Sequence, residues 1–210
     1  MSEVNSYDDL NDLHIDVLRE IGNIGSGNAA TALSTMLDRK VDISVPQVRI
    51  LDYATVTEEL GGPEAILAGL LLSLKGDVTG MMMFLLHKDF AHMIINTLTG
   101  MELENDDVLD EIGTSAICEV GNIMAASYVN AIASLTGLVI DISPPDICVD
   151  MVGAILSVPA IYFANIGDRI IFIQDEFDKK EENARNSSHI MMIPETDSLK
   201  AIMTRLGLEL

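Results

Sequence analysis

DVLREIGN, residues 16–23, returns as SAICEVGN, residues 115–122, and each copy is followed at the same distance by a proline, Pro46 and Pro145. Each copy places Asp or Ser four residues before Glu and Asn three residues after it. From Glu20 to Pro46 and from Glu119 to Pro145 the copies align without a gap, ending in VDISVP at 41–46 and IDISPP at 140–145. The chain is an internal duplication with two candidate sites.

Positions i, i+4 and i+7 return to one line along a helix, so Asp16, Glu20 and Asn23 share a face. Gly27, Ala30 and Ser34 continue that line. Leu13, Val17, Leu18, Ile21, Ile24, Ala32, Leu33 and Met36 are expected on the opposite, inward arc. The second copy repeats this with Ser115, Glu119, Asn122, Ala126 and Ala133 outward, and Ile112, Val120, Ile123, Ile132 and Leu135 inward. Small residues beside each Asn leave room for a partner to approach.

The chain has 210 residues, is 49% hydrophobic, and has 12 Met and no Trp. A core of Ile, Leu, Val, Ala and Met follows, and the duplication favours one domain of two halves, about 13–100 and 109–208. Twelve basic against 33 acidic side chains leave a formal charge of −21. Such a surface repels nucleic acid and anionic membranes and suits a basic protein surface as partner. No signal-like opening and no uninterrupted apolar run of membrane-spanning length is present, so no membrane insertion and a cytoplasmic location are expected. Cys118 and Cys148 form no CxxC pair and are expected to be free thiols.

The expected order is an acidic, fraying start over 1–11 and a first long helix over 13–38. Its Gly22, Gly25 and Gly27 call for a packing reason, best met by close approach of a second helix. Strands follow at 41–45 and 48–51, then a helical turn at 56–60 and a break at Gly61-Gly62-Pro63. A hairpin of 66–74 with 78–86 and a helix over 89–98, stopped by Gly100, complete the first half. The second half reads as an acidic stretch at 102–111, a long helix to Thr136 ended by Gly137, and a strand at 139–143. A short helix at 149–156, a hairpin of 160–166 with 169–174, a charged loop at 175–188, a strand at 190–193 and a helix at 196–206 follow. Met81-Met-Met-Phe and Ile190-Met-Met-Ile are the expected counterparts of each other. The fold class is α+β: a pseudo-two-fold duplicated domain with a central sheet and two long motif helices.

Neither motif line contains Cys or His, and Ser115 has no motif base beside it, which leaves covalent nucleophilic catalysis unsupported. Gly22-x-x-Gly25-x-Gly27 lies inside a helix, lacks the phosphate-loop GK[ST], and has no second copy. Ser115 replaces Asp16 in the second copy, which weakens a shared metal role for the motif. The Asn amide is neither acid nor base; its chemistry is to orient a water or hold an oxygen. That suits an intrinsically labile acyl phosphate such as the phosphoaspartate of a response regulator. Spacing alone leaves open two Glu/Asn pairs that merely solvate a helix face.

The pattern [D/S]xxxExxN, then twenty-two residues and Pro, resembles the signature of the CheC, CheX and FliY family of bacterial chemotaxis phosphatases. Every signature position is filled twice, and the resemblance covers essentially the whole chain. Two complete copies fit the CheC build, since CheX carries one complete copy and FliY adds a partner-recruiting segment and a flagellar-switch domain. The resemblance implies dephosphorylation of phosphorylated CheY without a covalent intermediate. It implies that Glu20 and Glu119 contact the regulator's active-site lysine while Asn23 and Asn122 orient water. The implied supporting positions are Asp16, Pro46, Ser115 and Pro145. No cofactor of the chain's own is implied, the Mg²⁺ being held by CheY. The family also binds CheD, a receptor deamidase, through the region after the second motif, which here maps to Asp150, Met151, Val152, Ala154 and Ile155. The same region reads equally as an amphipathic helix covering the sheet. A non-enzymatic adaptor binding CheY, CheD or the flagellar switch is the rival class, and intact Asn in both copies argues against it.

Overall fold

The computed structural model describes residues 7, 10–41, 46–100, 110–163, 169–176 and 187–208, with the backbone alone for 175–176 and 187–188. Residues 42–45 of the expected strand at 41–45, residues 102–109 of the acidic stretch at 102–111 and most of the expected loop at 175–188 lie outside these residues. Asn11 opens the first long helix, α1 (Asp12–Met36), its side chain accepting from the backbone N–H groups of Leu13 and His14. Asp110 caps the second motif helix the same way, through Gly113 N–H. In chain order the remaining elements of the first half are β1 (Gln47–Asp52), α2 (Tyr53–Glu59), β2 (Ile66–Gly76), β3 (Gly80–Leu86) and α3 (Lys88–Thr99). The second half holds α4 (Glu111–Thr136), β4 (Ile140–Ile142), β5 (Asp146–Met151), α5 (Val152–Tyr162), β6 (Arg169–Glu176), β7 (Ser187–Pro194) and α6 (Thr196–Arg205). Gly100 and Gly137 end α3 and α4 in the left-handed conformation, φ 68° and 71°, as their sequence positions require.

The seven described strands form one antiparallel sheet in the order β1-β6-β7-β3-β2, with β4 and β5 both pairing to β2. The strand that follows each motif proline therefore sits on the other half's hairpin: β1 on β6, β5 on β2. Val48 pairs with Ile173, and its repeat counterpart Ile147 pairs with Leu70, so Ile173 stands where Leu70 stands. Leu70 in turn pairs with Phe84, and Ile173 with Ile190. Phe84 and Ile190 are thus counterparts, and they also pair with each other, which puts the pseudo-two-fold axis between them. The Met-rich runs lie antiparallel across this axis, with Met81 opposite Ile193, so the expected equivalence of Met81 with Ile190 is replaced by that of Phe84 with Ile190.

Both faces of the sheet are covered, which explains why β3 and β7 read as continuous apolar runs rather than alternating ones. Met82, Phe84, Leu86, Ile190 and Met192 face one core with α1, α3, α4 and α6; Met81, Met83, Leu85, Met191 and Ile193 face the other with α2 and α5. The two motif helices lie on the same face and pack on each other. Gly25 makes this contact possible: a Cβ there would stand 2.7 Å from Tyr128 Cδ1. Gly22 is approached by Pro46 and Val48 rather than by a helix, and Gly27 has open space beside it, so the close-helix explanation holds for Gly25 alone of the three.

Four further expectations fail. The expected helix at 149–156 is strand as far as Met151, and helix α5 then runs on to Tyr162. Residues 160–162 of the strand expected at 160–166 are therefore helical, residues 164–166 lie outside the described residues, and β6 pairs with β1 and with the next strand, β7. Pro159 invites a break, but Val152, Ile155, Leu156 and Pro159 are buried at the spacing of one helical face, and that burial outweighs the proline's missing N–H. Tyr7, placed in a fraying start, is buried and donates its hydroxyl to the Pro194 carbonyl at 2.6 Å. Leu13 (57% exposed), Ile112 (53%) and Leu135 (39%) lie on the surface, not on the inward arcs.

Candidate functional site

The buried residues of α1 are His14, Leu18, Ile21, Gly22, Gly25, Ser26, Ala29 and Leu33. The opposite arc is the motif line: Asp16 and Glu20 are exposed and Asn23 is half-buried. In α4, Ser115 and Glu119 are exposed and Asn122 is half-buried. The glutamates reach freely into solvent, while each amide is held closer to the helix surface. None of these four Glu and Asn side chains has a hydrogen bond or ion pair to another described residue. Their donors and acceptors remain available to a partner.

The prolines support the site from beneath. Pro46, at the start of β1, packs on Gly22 beside Asn23; a Cβ at Gly22 would come within 3.4 Å of the proline ring. Pro145, at the start of β5, accepts a weak bond from Cys118 Sγ at 3.9 Å, directly before Glu119. Each proline thus fixes the entry of an edge strand against its motif helix, and its missing N–H costs nothing at a strand start.

The two faces differ at their first position. Asp16 forms an ion pair with Arg19 on the same helix, which sequence reasoning passed over. At the equivalent positions of α4 stand Ser115 and Cys118, with no charge. Cys118 and Cys148 are free, and burial together with a neighbouring aspartate raises both thiols above the ordinary cysteine value. Neither is poised as a nucleophile. Among the described residues, no three His, Cys, Asp or Glu converge as a metal site. The one described helix apolar and long enough to cross a membrane is α4, whose apolar window is 56% buried inside this fold.

Comparison with known proteins bears on the same residues. The CheC-like family model matches residues 13–50 and 112–149, the two motif helices with their prolines. CheY-P phosphatase CheC of Bacillus subtilis (strain 168) is 32% identical over 206 residues, covering 97% of this chain and 99% of that protein. The chain belongs to the CheC-like family. Flagellar motor switch phosphatase FliY of the same organism is 33% identical over 68% of this chain and 37% of its own length. The crystal structure of Thermotoga maritima FliY superposes with a TM-score of 0.73 at 25% identity, covering 95% of this chain and 98% of the other. The duplicated α+β architecture is thus that of the CheC-like family.

Of the surface expected after the second motif, Asp150, Met151 and Ala154 are exposed. Val152 and Ile155 are not: they are 1% and 3% exposed, in the core under α5. The exposed apolar residues of this region are instead Val149, Met151, Val158, Ile161 and Tyr162, with Ile66 on the neighbouring strand β2.

Proposed function

We propose that this CheC-like chain is a chemotaxis phosphatase that hydrolyses the phosphoaspartate of phosphorylated CheY at two parallel sites. The carrying observation is the pair of outward faces, each presenting an unpartnered Glu one turn before a half-buried, unpartnered Asn. Glu20 and Glu119 each dock the regulator's active-site lysine by a charge-assisted hydrogen bond. Asn23 and Asn122 then lie one turn further along, where each amide oxygen accepts a hydrogen bond from a water and aims it in line at phosphorus. The phosphoryl–carboxylate bond breaks as water's oxygen adds, the regulator's Asp leaving as carboxylate and phosphate carrying off the proton.

This chemistry needs positioning more than activation, which a neutral amide supplies. Mg²⁺ in the regulator's own site neutralises the phosphoryl oxygens, so the chain requires no cofactor of its own. The names of the relatives, CheY-P phosphatase and flagellar motor switch phosphatase, support this reading. The acidic composition supports a lysine-bearing partner rather than nucleic acid, and the chain works in the cytoplasm beside that partner.

A second association is with CheD, at the apolar surface after the second motif. Met151 is 45% exposed, Val158 46%, Ile161 77% and Tyr162 70%, whereas Val152 and Ile155 support that surface from inside. Phosphate release from phosphorylated CheY, measured with and without the chain, tests the catalytic reading. Unchanged decay alongside measurable binding would favour the adaptor.

A further inference from the structure

Leu13 and Ile112 occupy the same position of the two repeats, three residues before Asp16 and Ser115, and both are more than half exposed: 57% and 53%. A single exposed leucine means little. Recurrence of a large apolar side chain at one surface position of both copies, in helices whose neighbouring turns bury their apolar residues, is a different observation. At about 100° per residue, Leu13 lies roughly 20° around the helix from Glu20, and Ile112 stands the same way to Glu119. Each residue is therefore on the face of its own motif, about 10 Å nearer the helix N-terminus than the Glu.

We infer that Leu13 and Ile112 are binding residues of the two sites, apolar anchors that seat against the rim of the phosphorylated receiver domain docked on the Glu/Asn line. The inference rests on the proposed regulator as occupant and adds the residues that hold it. A standard protein interface covers about 800 Å² per partner, a patch roughly 30 Å across. A regulator centred on Glu20 and Asn23 cannot avoid Leu13. Glutamate to lysine gives direction and on-rate, while an apolar contact at the flank slows departure. The partner surface it fits is accordingly a lysine-bearing active-site face with an apolar side chain about 10 Å to one side. Because neither residue takes part in the core, its removal leaves the fold alone.

The test uses single-site proteins. In the Asn122→Ala background, Leu13→Ala is expected to raise KM for phosphorylated CheY roughly three- to tenfold with kcat retained, and Leu13→Met to restore KM. In the Asn23→Ala background, Ile112→Ala should behave the same way. Binding of the beryllofluoride-loaded regulator, titrated against the full chain and its Leu13→Ala/Ile112→Ala double variant, reads the contact without hydrolysis. Wild type that binds this regulator yet releases no phosphate would defeat the phosphatase reading and leave the Kd shift to decide the anchors. Unchanged KM and Kd in the alanine variants would overturn the inference, as would a fall in Tm and kcat together, which marks a core role. Absence of any binding by wild type would overturn both.

Discussion

Ser26 Oγ and Tyr128 OH meet at 2.7 Å in the buried seam between the two motif helices. The contact has no counterpart in the other half, because the repeat-equivalent residues are Ala125 and Ala29. One tyrosine therefore crosses the pseudo-symmetric seam and lies over Gly25, where a Cβ would stand 2.7 to 3.0 Å from three ring atoms.

That geometry makes Gly25→Ala a destabilising change by about 1–3 kcal/mol, although alanine is the better helix former. Tyr128→Phe keeps the ring and removes the hydroxyl contact, at about 1 kcal/mol. Thermal unfolding followed by circular dichroism should show the alanine variant melting several degrees lower and the phenylalanine variant less affected. A stabilised Gly25→Ala protein would mean that the helices do not pack here as described.

His189 supplies a pH dependence. It is 3% exposed, its ring stacks on Phe172 at 5.3 Å and meets His87 edge-on at 5.9 Å, and Nδ1 has no hydrogen-bond partner among the described residues. Burial first, then His87, lowers its pKa to about 4, against an opposing pull from Glu59; Arg49, ion-paired to Glu59, lowers it slightly further. The unfolded chain takes up this proton below pH 6.5 and the folded chain only near 4, so stability falls as pH drops through that interval and is level above it. The loss attributable to this residue is on the order of 2–3 kcal/mol. Urea midpoints from pH 7 to 4 should decline less steeply in His189→Phe, and an identical slope in both proteins would remove the assignment.

Docking by the glutamates is expected to be visible in KM and in salt. Glu20→Ala in the Asn122→Ala background, and Glu119→Ala in the Asn23→Ala background, each lose a charge-assisted contact and should raise KM about tenfold while kcat changes less. The net charge of −21 should also make association slow as ionic strength rises. Stopped-flow association at graded salt checks this. A rate indifferent to salt would mean that the regulator is not steered by charge.

The duplicated frame was legible because its signals are local: the Glu/Asn spacing fixes a helix face, Gly100 and Gly137 mark helix ends, and runs such as residues 81–86 mark strands buried on both sides. What failed were choices that tertiary contacts decide. Pro159 stays helical because three apolar neighbours and its own ring are buried on one side of α5. The β1–β6 pairing joins residues more than a hundred positions apart, which no local pattern encodes. Val152 and Ile155 fall in the stretch that maps to a partner surface, yet the sheet beneath them claims their side chains. Hydrophobicity alone points Leu13 and Ile112 to the core, whereas the helical angle puts them on the faces of Glu20 and Glu119, where they are exposed.

Whether the two asparagines carry catalysis is decided most directly by the decay of phosphorylated CheY in the presence of wild type, Asn23→Ala, Asn122→Ala and the double variant. An amide that positions the attacking water acts in the transition state, so each single change should lower kcat with a smaller effect on KM and leave partial activity. The double change should abolish catalysis. Both amides lie on outward faces, so the circular dichroism spectrum and Tm of all four proteins should agree closely. A folded double variant that still dephosphorylates CheY at the wild-type rate would contradict the account.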